Sequence, residues 1–275
     1  MKDMNYVFRN FFTHKDFLVP SGQIPGTMFT PLHFLFITLF LLTVFSSALY
    51  LAKHQNLLKP ALASVWALMV IWEFAIIYYD AAAGREVFWD FKTCLSLYPC
   101  SLYLYTMPII LWGKGSAKQA GLGYLSTLGL MGAVINLLYP ITRLFDYSCI
   151  SFAGMHTIFF HGAMLWSFLC LNFSGLHSYD QASSLHDLLL PCIPTLILSV
   201  PANIANYLIG SDYMFFTGQF PVVAKIFGNT RPILITITMY TLYILVPALF
   251  YLRGYLQSRH AEDENSVSFF TADYT

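Results

Sequence analysis

The chain of 275 residues is 57% hydrophobic and 17% aromatic, and only 10% of its residues are charged. A soluble globular domain carries about 25% charged residues, so this composition excludes an ordinary soluble domain and predicts an integral membrane protein. Lysine plus arginine and aspartate plus glutamate both number 14, and a net charge of zero gives no indication of a nucleic-acid partner. We therefore expect a multi-pass protein, in the cell membrane if the source is bacterial.

Apolar runs of about 20 residues, the length that crosses a bilayer, recur along the chain. They predict an all-α polytopic bundle of about seven transmembrane helices, with six as the alternative, over residues 31–253. A lead segment over 1–30 precedes the bundle, and a disordered tail over 254–275 is expected to follow it. Prolines interrupt the sixth run, so we expect a kink there. The seven runs lie at 31–52, 60–80, 92–112, 118–140, 149–172, 185–208 and 231–253.

The third run carries a thiol, Cys100, directly after Pro99. Proline removes one backbone donor and frees the carbonyl of Leu95, so we expect a kinked or loosened helix at the thiol. A break in a membrane helix is tolerated where protein or a wet cavity covers it, which makes Cys100 a candidate for the wall of a buried pocket. The alternative is that Cys100 is a small apolar filler and that Pro99 only shapes the bundle.

Several polar side chains fall in the same half of the bilayer when successive spans alternate in direction. An ionisable group inside the membrane, such as Glu73, is expected to have a partner or a function. One polar pocket that opens toward one leaflet would explain why these polar side chains fall in the same half. Plainer alternatives are an interfacial histidine at position 33, a protonated Glu73 shared between helices, and asparagines that hydrogen-bond between helices. The predicted pocket residues are Cys100, His161, Glu73, Asn136, Asn203, Asn206 and His33, with Arg231 opening the last run.

The remaining histidines and cysteines do not predict a metal site. His156 and His161 are five residues apart, about 140° around a helix, so they do not share a face. We expect His156 to be a structural hydrogen-bonding residue. No metal-ligand spacing or disulfide framework is visible, so no metal and no cofactor are expected. The cysteines treated as packing residues are Cys94, Cys149, Cys170 and Cys192.

A thiol and an imidazole at similar depth would have a specific chemistry. A free thiol is largely protonated at neutral pH, and a neighbouring imidazole can take its proton to give a thiolate nucleophile. We hypothesise that Cys100 is the nucleophile and His161 the general base and acid, with Glu73 or an asparagine orienting the imidazole. A thioester suits acyl transfer between lipids, because acyl tails already lie in the bilayer beside it. The spacing of 61 residues is not itself a motif.

Three short stretches, in order along the chain, resemble the YwaF-type integral membrane family. They are LYPCSL at 97–102, GAVINLLYP at 132–140 and IFFHG at 158–162. A fourth stretch, NYLIGSDYMF at 206–215, is similar to the run that follows the sixth span in bacterial members. The resemblance covers most of the chain from about residue 60 to 250.

Vertebrate relatives of that family include a transmembrane acyltransferase that places arachidonoyl chains on ether lysophospholipids. The resemblance implies that Cys100 and His161 are the catalytic pair and that Glu73 matches a glutamate in the preceding helix. Ser101 stands where the vertebrate relative has histidine, Asp212 stands where bacterial members often have asparagine, and residues 236–240 lack a histidine found in the vertebrate last span. Arachidonoyl chemistry is therefore not assumed for this chain.

The sequence predicts a lipid acyltransferase that acts on a membrane phospholipid or lysophospholipid and has no nucleic-acid partner. One alternative is a lipid hydrolase with the same cysteine and histidine. Another is a non-enzymatic carrier, in which Glu73, His161 and the interrupted sixth run line a path, or a scaffold. The crowding of polar residues in one half and the lack of an inverted repeat argue against a carrier.

Overall fold

The computed structural model describes residues 2–82, 95–140, 143–179 and 184–272, and this part of the chain is helical with no β-strand. Six of its helices are long and apolar enough to cross a membrane. The predicted all-α, multi-pass membrane fold is confirmed. The helices are α1 (Met4–Arg9), α2 (Pro31–Lys53), α3 (Gln55–Ala82), α4 (Leu102–Trp112), α5 (Gly115–Leu138), α6 (Phe152–Phe173), α7 (Leu185–Ile209), α8 (Pro221–Phe227) and α9 (Pro232–Ala272).

Helix α6 forms the centre of the bundle and packs against α2, α3 and α5. It begins after Ser151, whose hydroxyl accepts a hydrogen bond from the amide of Gly154 at 3.3 Å. Most of its side chains are buried, whereas α2 and α3 expose large apolar side chains along their outer faces. A helix that is apolar all round is either enclosed by protein or faces lipid, and the bundle contains both kinds.

The third apolar run is not one continuous helix, which corrects the predicted span at 92–112. Residues 92–94, and with them Cys94, lie outside the described residues. Residues 95–101, which we call the thiol segment, are irregular, and helix α4 begins only at Leu102. Pro99 accounts for the late start, because proline disfavours helical backbone before it and cannot donate to the helix. The thiol of Cys100 therefore lies just before a helix and not two turns inside one.

Helix α4 continues the passage that the thiol segment begins. Its 11 residues span only about 16 Å, too short to cross a bilayer alone. Before it, the amide of Leu95 donates to Tyr213 in the loop after α7; in its last turn, Ile110 lines a cavity together with Leu58 near the start of α3. The thiol segment and α4 together thus complete a seventh passage beside the six long helices.

Two further helices depart from regular α geometry. Residues Leu125–Gly129 of α5 form a π-helical segment, a feature frequent at functional sites. Helix α7 contains a 3-10 turn at Leu190–Cys192 and a second proline-containing stretch at Pro201, in agreement with the expected interruption of the sixth run. Its end is set by Gly210, whose φ of +65° gives the left-handed conformation that commonly terminates helices.

The lead segment folds back onto the connection between α5 and α6, at what we call the amino end of the bundle. The amide of Met28 donates to the carbonyl of Leu144 at 2.8 Å, and the amide of Cys149 donates to the carbonyl of Gly26 at the same distance. At the opposite end of the chain, α9 is helical through Ala272.

Candidate functional site

Cys100 lies at the start of helix α4, where its carbonyl accepts a hydrogen bond from the amide of Tyr103 at 3.1 Å. The first amides of a helix have no partner within the helix, and their combined dipole favours a negative charge nearby. The cysteine is partly buried and forms no disulfide. The sequence thus places a free cysteine immediately before the first turn of a short helix.

Three hydrogen bonds hold the thiol segment in its irregular conformation. The Tyr124 hydroxyl, on α5, donates to the carbonyl of Pro99 at 2.7 Å. The amide of Leu95 donates to the hydroxyl of Tyr213 at 3.0 Å, and the hydroxyl of Ser96 donates to Glu73 Oε1 at 2.8 Å. Irregular backbone at membrane depth must be satisfied by surrounding protein, and the two tyrosines provide that support, while Glu73 holds the Ser96 side chain.

The sulfur of Cys100 faces helix α5. Asn136 Nδ2 lies 4.0 Å from Cys100 Sγ and also donates to the carbonyl of Gly132 at 3.0 Å. A methyl group on Gly132 would come within 3.1 Å of the sulfur, so glycine provides the space that the thiol occupies. The structure brings together Cys100 and Asn136, as the sequence predicted.

His161 lies on α6 with its ring buried. Its Nδ1 is 2.8 Å from the carbonyl oxygen of Thr157, and since a carbonyl only accepts, Nδ1 is assigned the proton and Nε2 the lone pair. No hydrogen bond joins His161 to Cys100, both of which the structure describes. Helices α6 and α4 are nonetheless neighbours, because the rings of Phe160 and Tyr103 meet edge-on at 5.9 Å.

Glu73 pairs with His156 and not with His161, which corrects the expectation that it orients the catalytic imidazole. Glu73 Oε2 lies 3.2 Å from His156 Nε2, while Oε1 accepts from Ser96. The reason is geometric: α6 turns the face that carries His156 toward α3, and His161 lies about 140° away. His156 thus has Glu73 as a charged neighbour, although neither of its ring nitrogens is hydrogen-bonded among the described residues.

The other predicted pocket residues have separate roles. Asn203 Nδ2 lies 2.8 Å from the hydroxyl of Tyr240, which links α7 to α9 as the interhelical alternative predicted. Asn206 binds both the amide and the carbonyl of Tyr213, and so positions the tyrosine that holds the thiol segment. His33 Nδ1 accepts from the amide of Phe29 at 3.2 Å at the start of α2.

Sequence analysis missed the residues that support the thiol segment, namely Ser96, Tyr124 and Tyr213. A tyrosine in an apolar run gives no signal that distinguishes such support from ordinary packing. The loop that carries Tyr213 also contains Met214 and Phe215 with φ of +58° and +59°, conformations that are strained for these residues. Such strain clusters at functional sites, and Phe215 packs against Tyr98 of the thiol segment at 5.8 Å.

Within the described ranges, no group of three histidine, cysteine, aspartate or glutamate side chains is arranged to hold a metal ion.

Comparison with known proteins places the chain in a membrane-protein family. No curated protein and no solved structure gives a significant match. One family model, described as the TMEM164 family, matches residues 28–252, which include the thiol segment, both histidines of α6, five of the six long apolar helices and the first half of α9. Because this match covers most of the chain, the protein belongs to the TMEM164 family.

Proposed function

We propose that the protein is an integral membrane lipid acyltransferase that moves a fatty acyl chain between lipids through a thioester on Cys100. The observation that carries the proposal is a thiol at the start of a short helix, in a break of a membrane passage, with an amide donor 4.0 Å away. The resemblance to the YwaF-type family and its acyltransferase relatives gives further support.

In the first half-reaction, His161 Nε2 takes the proton of the thiol, and Cys100 Sγ attacks the carbonyl carbon of a phospholipid ester. The carbon–oxygen ester bond breaks, and the leaving alkoxide receives the proton from His161. Asn136 Nδ2 is placed to donate to the oxyanion that forms at the attacked carbonyl. In the second half-reaction, a lysophospholipid hydroxyl attacks the thioester and releases the thiol.

The proposal requires His161 Nε2 to reach the thiol when lipid binds, because the two side chains are not hydrogen-bonded in this structure. Catalytic hydrogen bonds are often long or misaligned without substrate and tighten in the complex. The packing of Phe160 against Tyr103 already holds the two elements together, so a rearrangement of side chains is sufficient.

Acyl chains can reach the thiol from the lipid side of α5. Asn136 is flanked by Ile135 and Leu138, whose side chains are 54% and 63% exposed on the bundle surface. Large apolar side chains on the outside of a membrane bundle face lipid. A phospholipid ester could therefore approach Cys100 laterally, with its tails remaining in the bilayer.

Intact-mass measurement of the detergent-purified protein after incubation with mixed phospholipids tests the proposal. We expect an added fatty acyl mass on the wild type, removed by hydroxylamine, and none on Cys100→Ser. Cys192→Ser, which changes a buried cysteine of α7, is the matched control and should keep the adduct. A wild-type protein that never carries an acyl group would contradict the proposal, and release of free fatty acid without an acceptor would identify a hydrolase.

A further inference from the structure

A second polar group lies in the amino-end half of the bundle and takes no part in the reaction of the thiol. Glu73 contacts Ser96 of the thiol segment with one carboxylate oxygen and His156 Nε2 with the other, at 2.8 and 3.2 Å. A carboxylate accepts hydrogen bonds and favours a proton on the imidazole nitrogen that faces it. Glu73 thus directs the lone pair of neutral His156 to Nδ1.

Neither ring nitrogen of His156 has a hydrogen-bond partner among the described residues; Nε2 has only its charge contact with Glu73, and His156 is 7% exposed. Trp72 Nε1, a donor, is also buried without a partner in the same part of the chain. Buried polar atoms are normally hydrogen-bonded, and an unpaired one costs about 1–3 kcal/mol, so His156 Nδ1 and Trp72 Nε1, on neighbouring rings, suggest a ligand group that binds both.

The rings of Trp72 and His156 are direct neighbours. Their centroids are 5.9 Å apart with an interplanar angle of 69°. One hydrogen bond from Trp72 Nε1 to an oxygen and one from that oxygen to His156 Nδ1 together span roughly 6 Å. A hydroxyl group, which accepts once and donates once, has the required chemistry.

We propose that Trp72 and His156 bind the hydroxyl of the acceptor lysophospholipid, and that His156, held by Glu73, takes its proton during transfer. This inference rests on the proposed acyl transfer. As the acceptor oxygen bonds to the acyl carbon, its proton passes to His156 Nδ1. The carbon–sulfur bond breaks, its electron pair goes to Cys100 Sγ, and the sulfur regains a proton as His156 returns to neutral. His161 is thus the base for the thiol, and His156 is the base for the acceptor hydroxyl.

Contacts link this site to the stretch of chain that carries Cys100. Ser96, which donates to Glu73, is four residues before the thiol, and His156 packs against Phe160 at 5.7 Å, which in turn packs against Tyr103 of α4. The proposed hydroxyl site is therefore joined to the thiol segment through Glu73 and to α4 through Phe160.

The two half-reactions can be measured separately. The acyl adduct is formed from phospholipid without acceptor and followed by intact mass, and is then discharged with a defined lysophosphatidylcholine. We expect His156→Gln to form the adduct at the wild-type rate but to discharge it about 100-fold more slowly, the usual effect of losing a general base. Glutamine retains a polar group against Glu73 but has no nitrogen that can take a proton. His186→Gln, an exposed histidine at the other end of the bundle, is the matched control.

Trp72→Phe provides a second, milder test because it keeps an aromatic ring and removes only the donor. We expect the lysophosphatidylcholine concentration for half-maximal discharge to rise about 5-fold, the effect of one lost hydrogen bond, with adduct formation unchanged. Trp112→Phe, on the exposed face of α4, should behave as the wild type.

The inference is overturned if a folded His156→Gln protein discharges its adduct at the wild-type rate, or if it fails to form the adduct at all. Should His156→Gln not purify as a single folded species, an unchanged half-maximal concentration for Trp72→Phe decides against the site. A wild-type protein without any adduct is a different result, because it rejects the acyl transfer itself and this inference with it.

Discussion

Gly132 and Cys100 show how closely the reactive sulfur is fitted against α5. The glycine faces the sulfur where a methyl group would come within 3.1 Å of it. Contacts of that length are tighter than packed atoms normally make, so any side chain at 132 must displace the sulfur by a few tenths of an ångström. Because position 132 has no side chain, the sulfur of the proposed nucleophile has the space that it occupies.

We expect Gly132→Ala to lower the rate of acyl-adduct formation by about 10-fold or more, because misplacement of reacting atoms by 1 Å can cost about 100-fold. Stability should not fall with it, since alanine is favoured over glycine in helices by about 1 kcal/mol. The measurement is intact mass against time, with a thermal unfolding curve for each variant. Gly22→Ala, where an added methyl meets nothing within 4 Å, is the control. An adduct rate equal to that of the wild type would reject the assigned role of this glycine.

The sequence predicted which residues have special roles better than it predicted which side chains they contact. Pro99 beside Cys100 indicated a break, because the effect of proline on a helix is local. Cys100 and Asn136 were predicted to lie in the same half of the bilayer, and their side chains lie 4.0 Å apart in the structure. Glu73 was expected to have a partner, yet nothing local distinguishes His156 from His161, since the choice depends on how α6 is rotated against α3.

The short helix α4 and the thiol segment before it carry the cysteine of the proposed reaction. The length of the apolar run alone predicted a continuous span here, because that length does not distinguish a helical backbone from an irregular one. The backbone is irregular where two tyrosine side chains from elsewhere in the chain, Tyr124 and Tyr213, satisfy it, and those long-range contacts cannot be read from local sequence. The π-helical segment of α5 follows directly after Tyr124.

We expect Tyr124→Phe to loosen the thiol segment. The variant leaves the carbonyl of Pro99 without its donor, which costs about 1–3 kcal/mol for a buried group. For a chain of this size, that corresponds to a fall of about 2–10 °C in the unfolding midpoint in detergent. Alkylation of Cys100 by maleimide should also become faster.

Tyr207→Phe is the matched control, because this tyrosine is 89% exposed on α7. Its midpoint and its alkylation rate should equal those of the wild type. Equal alkylation rates for Tyr124→Phe and the wild type would mean that the hydrogen bond to Pro99 does not restrain the thiol segment.

At the scale of the whole molecule, the amino end of the bundle is closed by the lead segment and by a charged pair. Arg143, in the connection between α5 and α6, contacts both carboxylate oxygens of Asp80 at 3.2 and 2.7 Å. Burial alone would lower the pKa of Arg143, but the hydrogen bonds and charge of Asp80 outweigh burial and raise it. Two parallel hydrogen bonds in a partly buried place make this pair stronger than a typical surface pair.

We expect a double-mutant cycle with Arg143→Met and Asp80→Asn to give a coupling energy of about 1–2 kcal/mol, above the 0–1 kcal/mol typical of exposed pairs. Unfolding in detergent with increasing denaturant provides the measurement. Lys15 and Asp146, which are 3.6 Å apart and about 40% exposed, form the comparison pair at the same end. A coupling no larger than that of this exposed pair would show that Arg143 does not secure the amino end.

The passage completed by the thiol segment and α4 determines on which side of the membrane each part of the chain emerges. Six long helices alone would return the chain to the face from which it started, whereas a seventh passage does not. The lead segment meets α6 at its first residue, and Tyr251, halfway along α9, meets His177 after the last turn of α6. The lead segment and this part of α9 thus lie at opposite ends of α6, and in the proposed reaction a thiol in the half of the bundle next to the lead segment would exchange acyl chains within one leaflet only.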